Sequence, residues 1–291
     1  MSRILRAAAL TVLLLGSTAF TAIDRSPVTG LTLGPAAGYV APGATERLDG
    51  RLTADGSGVG GAALRIDRLI SGRWAAWSAT RTRADGTYTL TARPDRTASY
   101  RVRFAGTGGL PSAQSGRVTV NVMRYAFPVR GPTSYAHTHA LYPATDLFAA
   151  CGTPVVSPVD GVVLEVNRVD RFDPANPRGA WKGGRFVAIR GDDGVRHYGA
   201  HFRWISGDLR PGVRVRAGQP IARVGHTGNA SGICHLHYAL SPVCAGAGDW
   251  WLRRGVVYPW PYLDSWRSGR WASPHDTVAA WQRAHGCPPP G

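Results

Sequence analysis

The stretch Cys234-His235-Leu236-His237-Tyr238-Ala239-Leu240 decides how the rest of the chain is read. Apolar residues beside each histidine, then aromatic and aliphatic ones, predict a β-strand. Strand side chains alternate between faces, so His235 and His237 point the same way, about 7 Å apart. Two imidazoles so placed are either ordinary surface histidines or a metal ligand beside its catalytic neighbour. The upstream chain adds His139, Asp146 and His201, each near a predicted strand. Those are the residue types that a hydrolytic zinc site uses, with three ligands and a fourth position open to water.

The surrounding composition favours short strands. Among 291 residues there are 37 Gly and 21 Pro, and 44% are hydrophobic. That length suggests two domains, and the turn-forming content argues against long helices. From about residue 44 to 122 the pattern runs in period two, as in Ala63-Leu64-Arg65-Ile66-Asp67-Arg68-Leu69 and Ser99-Tyr100-Arg101-Val102-Arg103-Phe104. Asp85-Gly86 between two such runs predicts a hairpin turn. Antiparallel strands of this kind fit a β-sandwich, with a pattern like the immunoglobulin-like modules of bacterial surface proteins. No paired carboxylates or histidine cluster occur there, so the module is expected to act as a spacer or adhesion unit. The second strand-rich region includes Gly161-Val162-Val163-Leu164-Glu165-Val166, Phe186-Val187-Ala188-Ile189-Arg190 and Val195-Arg196-His197-Tyr198. Gly191-Asp192-Asp193-Gly194 predicts the hairpin that joins the last two. Residues 167–184 form a long loop without periodicity, either a functional rim or a surface excursion.

The termini carry separate signals. Met1-Ser2-Arg3-Ile4-Leu5-Arg6, an apolar run and small residues near Ala19 and Ala22 predict a secretory signal peptide over residues 1–22. No stable membrane span is expected after its cleavage, and export would make the four cysteines disulfide partners. Extended geometry keeps Cys234 and Cys244 too far apart to bridge. Cys151–Cys234 with Cys244–Cys287 is the favoured pairing of three possible connectivities. The tail is rich in Trp, and Ser273-Pro274-His275-Asp276 predicts the start of a helix that Gly286 ends. The net charge of +16 is almost all arginine, with Lys182 the only lysine. Such a balance fits either an anionic partner or a compositional bias. Nucleic acid is not the expected partner, because no basic helix or aromatic RNA-binding pattern is present.

Several blocks in order resemble the lysostaphin-type (LytM-like) zinc metallopeptidases. They are His139, Asp146, Cys151-Gly152-Thr153-Pro154-Val155-Val156 and Tyr198-Gly199-Ala200-His201, then Gly225-His226-Thr227-Gly228-Asn229 and His235-Leu236-His237-Tyr238. The resemblance spans about residues 127–242. It implies one Zn²⁺ held by His139, Asp146 and His237, with His201 and His235 as catalytic histidines outside the metal shell. It also implies a secreted or cell-wall-associated bacterial endopeptidase. Such an enzyme hydrolyses peptide bonds in peptidoglycan stem peptides or cross-bridges by attack of zinc-bound water. The alternative is an inactive member that binds peptidoglycan or activates another hydrolase. Anionic cell-wall polymers are a further expected partner. Two departures stand out. The family's commonest first motif has His four residues before Asp, where this chain has Tyr142, so His139 serves from seven residues away or His137 replaces it. The Tyr-Gly-Ala-His block is one residue longer than the usual Tyr-x-His, which leaves His197 as an alternative to His201.

The expected fold is therefore mainly β, an N-terminal β-sandwich followed by an antiparallel β-sheet metallopeptidase domain with a short C-terminal helix. The expected boundaries are a sandwich at 23–122, a linker at 123–130 and a metallopeptidase domain at 131–250. A Trp-rich extension with one helix follows at 251–291.

Overall fold

The computed structural model describes residues 26–244 and 249–287, so the expected signal peptide lies outside the described residues. Ten strands form the N-terminal part: β1 (Thr29–Leu33), β2 (Tyr39–Val40), β3 (Glu46–Ala54), β4 (Ser57–Gly58), β5 (Ala63–Ile70), β6 (Arg73–Arg81), β7 (Thr87–Ala92), β8 (Ala98–Phe104), β9 (Ala113–Gln114) and β10 (Val118–Val122). One sheet runs β1-β3-β4 with β7 on β3, and the other runs β2-β10-β8-β5-β6 with β9 on β8. The alternation read from the sequence is what fills the space between them. Tyr100, Val102 and Phe104 point inward from β8 while Ser99, Arg101 and Arg103 face out. Leu48, Leu52, Leu64, Ile66, Tyr88 and Leu90 complete that core.

The Asp85-Gly86 turn differs from expectation. It closes tightly, with Gly86 at φ +82° donating to the Arg83 carbonyl, but β6 pairs with β5 and β7 pairs with β3. The chain crosses from one sheet to the other there instead of forming a hairpin. Crossing over lets β7 bury Tyr88, Leu90 and Ala92 in the core, and that burial outweighs the local preference for direct pairing.

The second part holds β11 (Thr145–Phe148), β12 (Pro154–Val156), β13 (Gly161–Asn167), β14 (Phe186–Gly191), β15 (Val195–Ala200), β16 (Trp204–Ile205), β17 (Arg214–Val215), β18 (Pro220–Arg223) and β19 (His235–Pro242). Its main sheet runs β11-β19-β15-β14-β13-β17 and is antiparallel throughout, with a small β12-β18-β16 sheet beside it. The hairpin at Gly191-Asp192-Asp193-Gly194 joins β14 to β15 as expected. The quoted stretch becomes β19, between β11 and β15, and all eight of its residues are buried. Leu236, Tyr238 and Leu240 enter the core shared with Leu147, Ile189, Phe202 and Val224. His235 and His237 take the other face by alternation.

The tail contributes α1 (Trp250–Arg253), α2 (Trp260–Arg267) and α3 (His275–His285), two more helices than the sequence suggested. Both extra helices are short, and their apolar residues repeat too few times to give a period. Leu263, Trp266 and Val278 from α2 and α3 extend the main core, and Trp266 stacks on Tyr125 at 5.0 Å. At the head of α3, Ser273 Oγ accepts the amide of His275. Disulfides join Cys151 to Cys234 and Cys244 to Cys287, the pairing favoured from sequence.

Arg196 on β15 is buried and ion-pairs with Asp249 just before α1, and it also donates to the Cys244 carbonyl. Removing one partner of a buried pair strands the other charge without water, at a cost of ~3–5 kcal/mol. Asp249→Ala is therefore expected to lower the denaturant midpoint sharply. Asp192→Ala, which breaks the exposed pair with Arg214, should cost only ~0–1 kcal/mol.

Candidate active site

The register of β11 on β19 sets Asp146 opposite His237 and Phe148 opposite His235. Asp146 Oδ1 lies 2.9 Å from His237 Nδ1 and 3.8 Å from His235 Nε2. Pro143 and the bends at residues 140–143 interrupt extended structure before β11 and return His139 to the same place. Its Nε2 is 3.6 Å from Asp146 Oδ2, and its ring centroid is 5.4 Å from that of His237. One ligand-type atom from each of His139, Asp146 and His237 lies within 4.8 Å of the other two. Tyr142, in the place where a histidine was expected, packs its ring 4.5 Å from that of His139.

His137 is turned elsewhere. It bridges to Asp264 at 3.1 Å and stacks on Trp260. His197 occupies the opposite face of the sheet, bonded to Tyr238 Oη and to Asp193. The extra residue after Tyr198 is absorbed at His201 itself. That residue ends β15 in the left-handed region at φ +68°, a conformation that carries strain for a non-glycine residue. The turn brings its ring to 4.7 Å from that of His235 and 5.8 Å from that of His237. A second grouping, Cys151, His226 and Cys234, has no thiolate to offer because its cysteines are bonded to each other.

Backbone carbonyls set the protonation of three imidazoles. A carbonyl only accepts, so the ring nitrogen facing it carries the hydrogen. His201 Nδ1 donates to the Thr227 carbonyl at 2.7 Å, and His235 Nδ1 donates to that of Ile233 at 2.8 Å. His237 is reversed: Nε2 donates to the Arg254 carbonyl at 3.0 Å, which leaves Nδ1 towards Asp146. A neutral imidazole in that tautomer has a bare lone pair against a carboxylate, and two acceptors at 2.9 Å need a shared cation. His139 adds a buried Nδ1 without a hydrogen-bond partner. A zinc ion fits this donor set of two imidazole nitrogens and one carboxylate.

Electrostatics favour neutral rings at His201 and His139 beside an ionised Asp146. Burial, with His237 and His235 nearby, holds His201 down to about 3. Burial also pushes His139 below its ordinary value. For Asp146 burial acts upwards, but the contact with His237 and the neighbouring histidines outweigh it and bring the carboxyl to about 2.

The long loop forms part of the rim. Gly179, Ala180, Lys182 and Gly183 line the cleft, together with Tyr142, Trp250 and the histidines. The Thr227-Gly228-Asn229 block clasps this loop. Asn229 N donates to the Lys182 carbonyl, Arg185 N donates to Thr227 Oγ1, and Thr227 Oγ1 donates to the Phe202 carbonyl. The same Thr227 carries the carbonyl that orients His201. Sequence reasoning missed the supports at Thr227, Ile233 and Arg254, because a carbonyl exists at every position and marks none.

The fold and this cluster define a mainly β domain with a histidine–carboxylate centre. Residues 140–245 match Peptidase family M23. The match begins one residue after His139 and ends before the tail that supplies the Arg254 carbonyl. The chain is 28% identical to the L-Ala--D-Glu endopeptidase of Bacillus subtilis (strain 168) over 166 residues, 52% of this chain. It covers 46% of that protein's length. A structure described as a candidate glycyl-glycine endopeptidase, LytM, from Ruminococcus gnavus is 22% identical, with a TM-score of 0.40 over 51% of this chain and 62% of that one. A zinc-containing peptidase from Vibrio cholerae is 16% identical, with a TM-score of 0.34 over 67% of this chain and 53% of that one. Among the described residues no helix is long and apolar enough to cross a membrane.

Gly228 has φ +73°, and a Cβ there would lie 2.3 Å from the Lys182 carbonyl oxygen. Gly228→Ala is expected to push the loop off its clasp and cost more than ~1 kcal/mol. Faster amide exchange at Gly184, Arg185 and Asn229 than in the parent is the expected observation.

Proposed function

We propose that this chain is a secreted zinc metalloendopeptidase that hydrolyses peptide bonds in bacterial peptidoglycan stem peptides or cross-bridges. The observation that carries the reading is the set of three imidazoles, each with one nitrogen committed to a carbonyl and the other turned to Asp146 or the cleft. The family match and the endopeptidase relative support the reaction class. An inactive binder would have no need for so complete a donor set.

In this reading His139, Asp146 and His237 Nδ1 would hold the zinc. A zinc ion there would supply Lewis acidity towards the scissile carbonyl and would make water acidic enough to attack at neutral pH. His201 and His235 act from outside that set. With their Nδ1–H groups committed, each presents an Nε2 lone pair that can accept a hydrogen from the attacking water. Once protonated, the same nitrogen becomes a donor to the oxyanion or to the departing amine. The low basicity of buried His201 keeps its lone pair free at neutral pH. The N-terminal sequence supports export, and the net charge of +16 would hold the enzyme near anionic wall polymers. The β-sandwich serves as a spacer or adhesion module.

Zinc content of the purified protein tests the assignment. The parent and His137→Ala should hold about one zinc per chain, whereas His139→Ala and His237→Ala should lose it. His201→Ala should keep zinc while kcat on peptidoglycan fragments falls by roughly 10²–10⁴. A well-folded parent that takes up no zinc when supplied would remove the enzyme reading.

A further inference from the structure

The cationic groups of the cleft differ in how they are satisfied. Arg253 is ion-paired with Glu165 and lies over the rings of Phe186 and Tyr198. Lys182 lines the cleft with an exposed side chain, so water screens its charge. Arg254 is half-buried, and among the described residues its guanidinium has no carboxylate or carbonyl partner. Its guanidinium carbon lies 4.3 Å from the centroid of the Tyr142 ring and 5.5 Å from that of Trp250. Aromatic contact restrains a guanidinium while leaving its N–H edge free, and that edge matches a carboxylate.

The backbone at this residue is also fixed. Arg254 N donates to the Trp250 carbonyl at 3.3 Å, and its own carbonyl takes the hydrogen of His237 Nε2. The guanidinium is therefore tethered one side chain from the histidine cluster. Tyr142, the ring it lies over, is itself 5.9 Å from the ring of His237. The carboxylates near the cleft are already committed, Asp146 to the histidines and Glu165 to Arg253. Among the described residues, what the cleft lacks is a partner for Arg254.

We propose that Arg254 is a specificity-determining residue whose guanidinium pairs with a free carboxylate of the substrate peptide close to the scissile bond. This rests on the endopeptidase reading, in which a peptide occupies the cleft. The anion a peptide offers is either an internal carboxylate or its C-terminus. An amide of the same shape at that position accepts a hydrogen bond but brings no charge, and its N–H₂ group meets a donor.

The test uses the zinc-loaded full chain and two pairs of synthetic stem peptides. In one pair an internal carboxylate is replaced by a primary amide, and in the other the C-terminal carboxylate is. KM and kcat are read on cleavable peptides. Affinity is read by calorimetry on analogues N-methylated at the scissile bond. The parent is expected to bind the carboxylate form about ten-fold or more tightly than the amide at one of the two positions, with the difference in KM more than in kcat. Arg254→Met should abolish that preference while retaining zinc, since the backbone carbonyl that holds His237 stays in place. Arg254→Lys should restore part of it, and Arg254→Gln gives the same reading if the methionine variant misfolds. A parent without preference at either position, or an Arg254→Met protein that keeps the parent's preference, would overturn the assignment. A parent that binds with an Arg254-dependent preference but cleaves nothing would uphold it and remove the endopeptidase reading.

Discussion

The hydrogen bond from an imidazole N–H to a backbone carbonyl is the interaction on which this site depends. Histidine has two ring nitrogens and, when neutral, one proton, so fixing one nitrogen as donor makes the other an acceptor. Thr227, Ile233 and Arg254 provide that fixation for His201, His235 and His237. The reversed orientation of His237 separates it from its two neighbours. Its Nδ1 is offered to Asp146, whereas the other two commit Nδ1 and keep Nε2 free. Residues of one type are thereby divided into two chemical roles by the carbonyl each one meets.

Those carbonyls belong to three segments that are distant in sequence, and much of the remaining structure holds them still. Thr227 sits in the clasp that closes on the rim loop through Gly184 and Gly228, where a side chain on either glycine would strike backbone. Ile233 precedes the strand pinned by the Cys151–Cys234 disulfide. Arg254 follows α1, which is held by the buried Arg196–Asp249 pair and flanked by the Cys244–Cys287 bridge. Gly255 lies so close to the Pro143 carbonyl that a Cβ would fall 2.1 Å from it, which ties α1 to the bend that returns His139. The tail is therefore part of the site's support, although it lies beyond the residues that match the family.

The sequence made much of the fold legible where a period or a turn signal was at work. Alternation in β8 and β19 and the Gly191-Asp192-Asp193-Gly194 turn are local properties, and local properties can be read from neighbours. The crossing at Asp85-Gly86 was misread because turn chemistry does not say which sheet receives the next strand. The two short helices of the tail were missed because their folding depends on contacts with residues far away in sequence. In the candidate site the residue types were visible in His235-Leu236-His237, and the structure brings His139, Asp146, His201, His235 and His237 together. The left-handed turn at His201 and the carbonyl partners were not visible, since both arise from tertiary packing.

The most direct test of this division of roles is the tautomer of each histidine, read by nitrogen-15 correlation spectroscopy of the imidazole side chains in zinc-free protein at neutral pH. The structure predicts a protonated Nδ1 with a bare Nε2 on His201 and His235, and a hydrogen on Nε2 of His237 bonded to a carbonyl. Added zinc should then move the Nδ1 resonance of His237 and leave its Nε2–H in place. A neutral His237 carrying its proton on Nδ1, or zinc shifting Nε2 instead, would contradict the claim that the Arg254 carbonyl sets the metal-facing nitrogen.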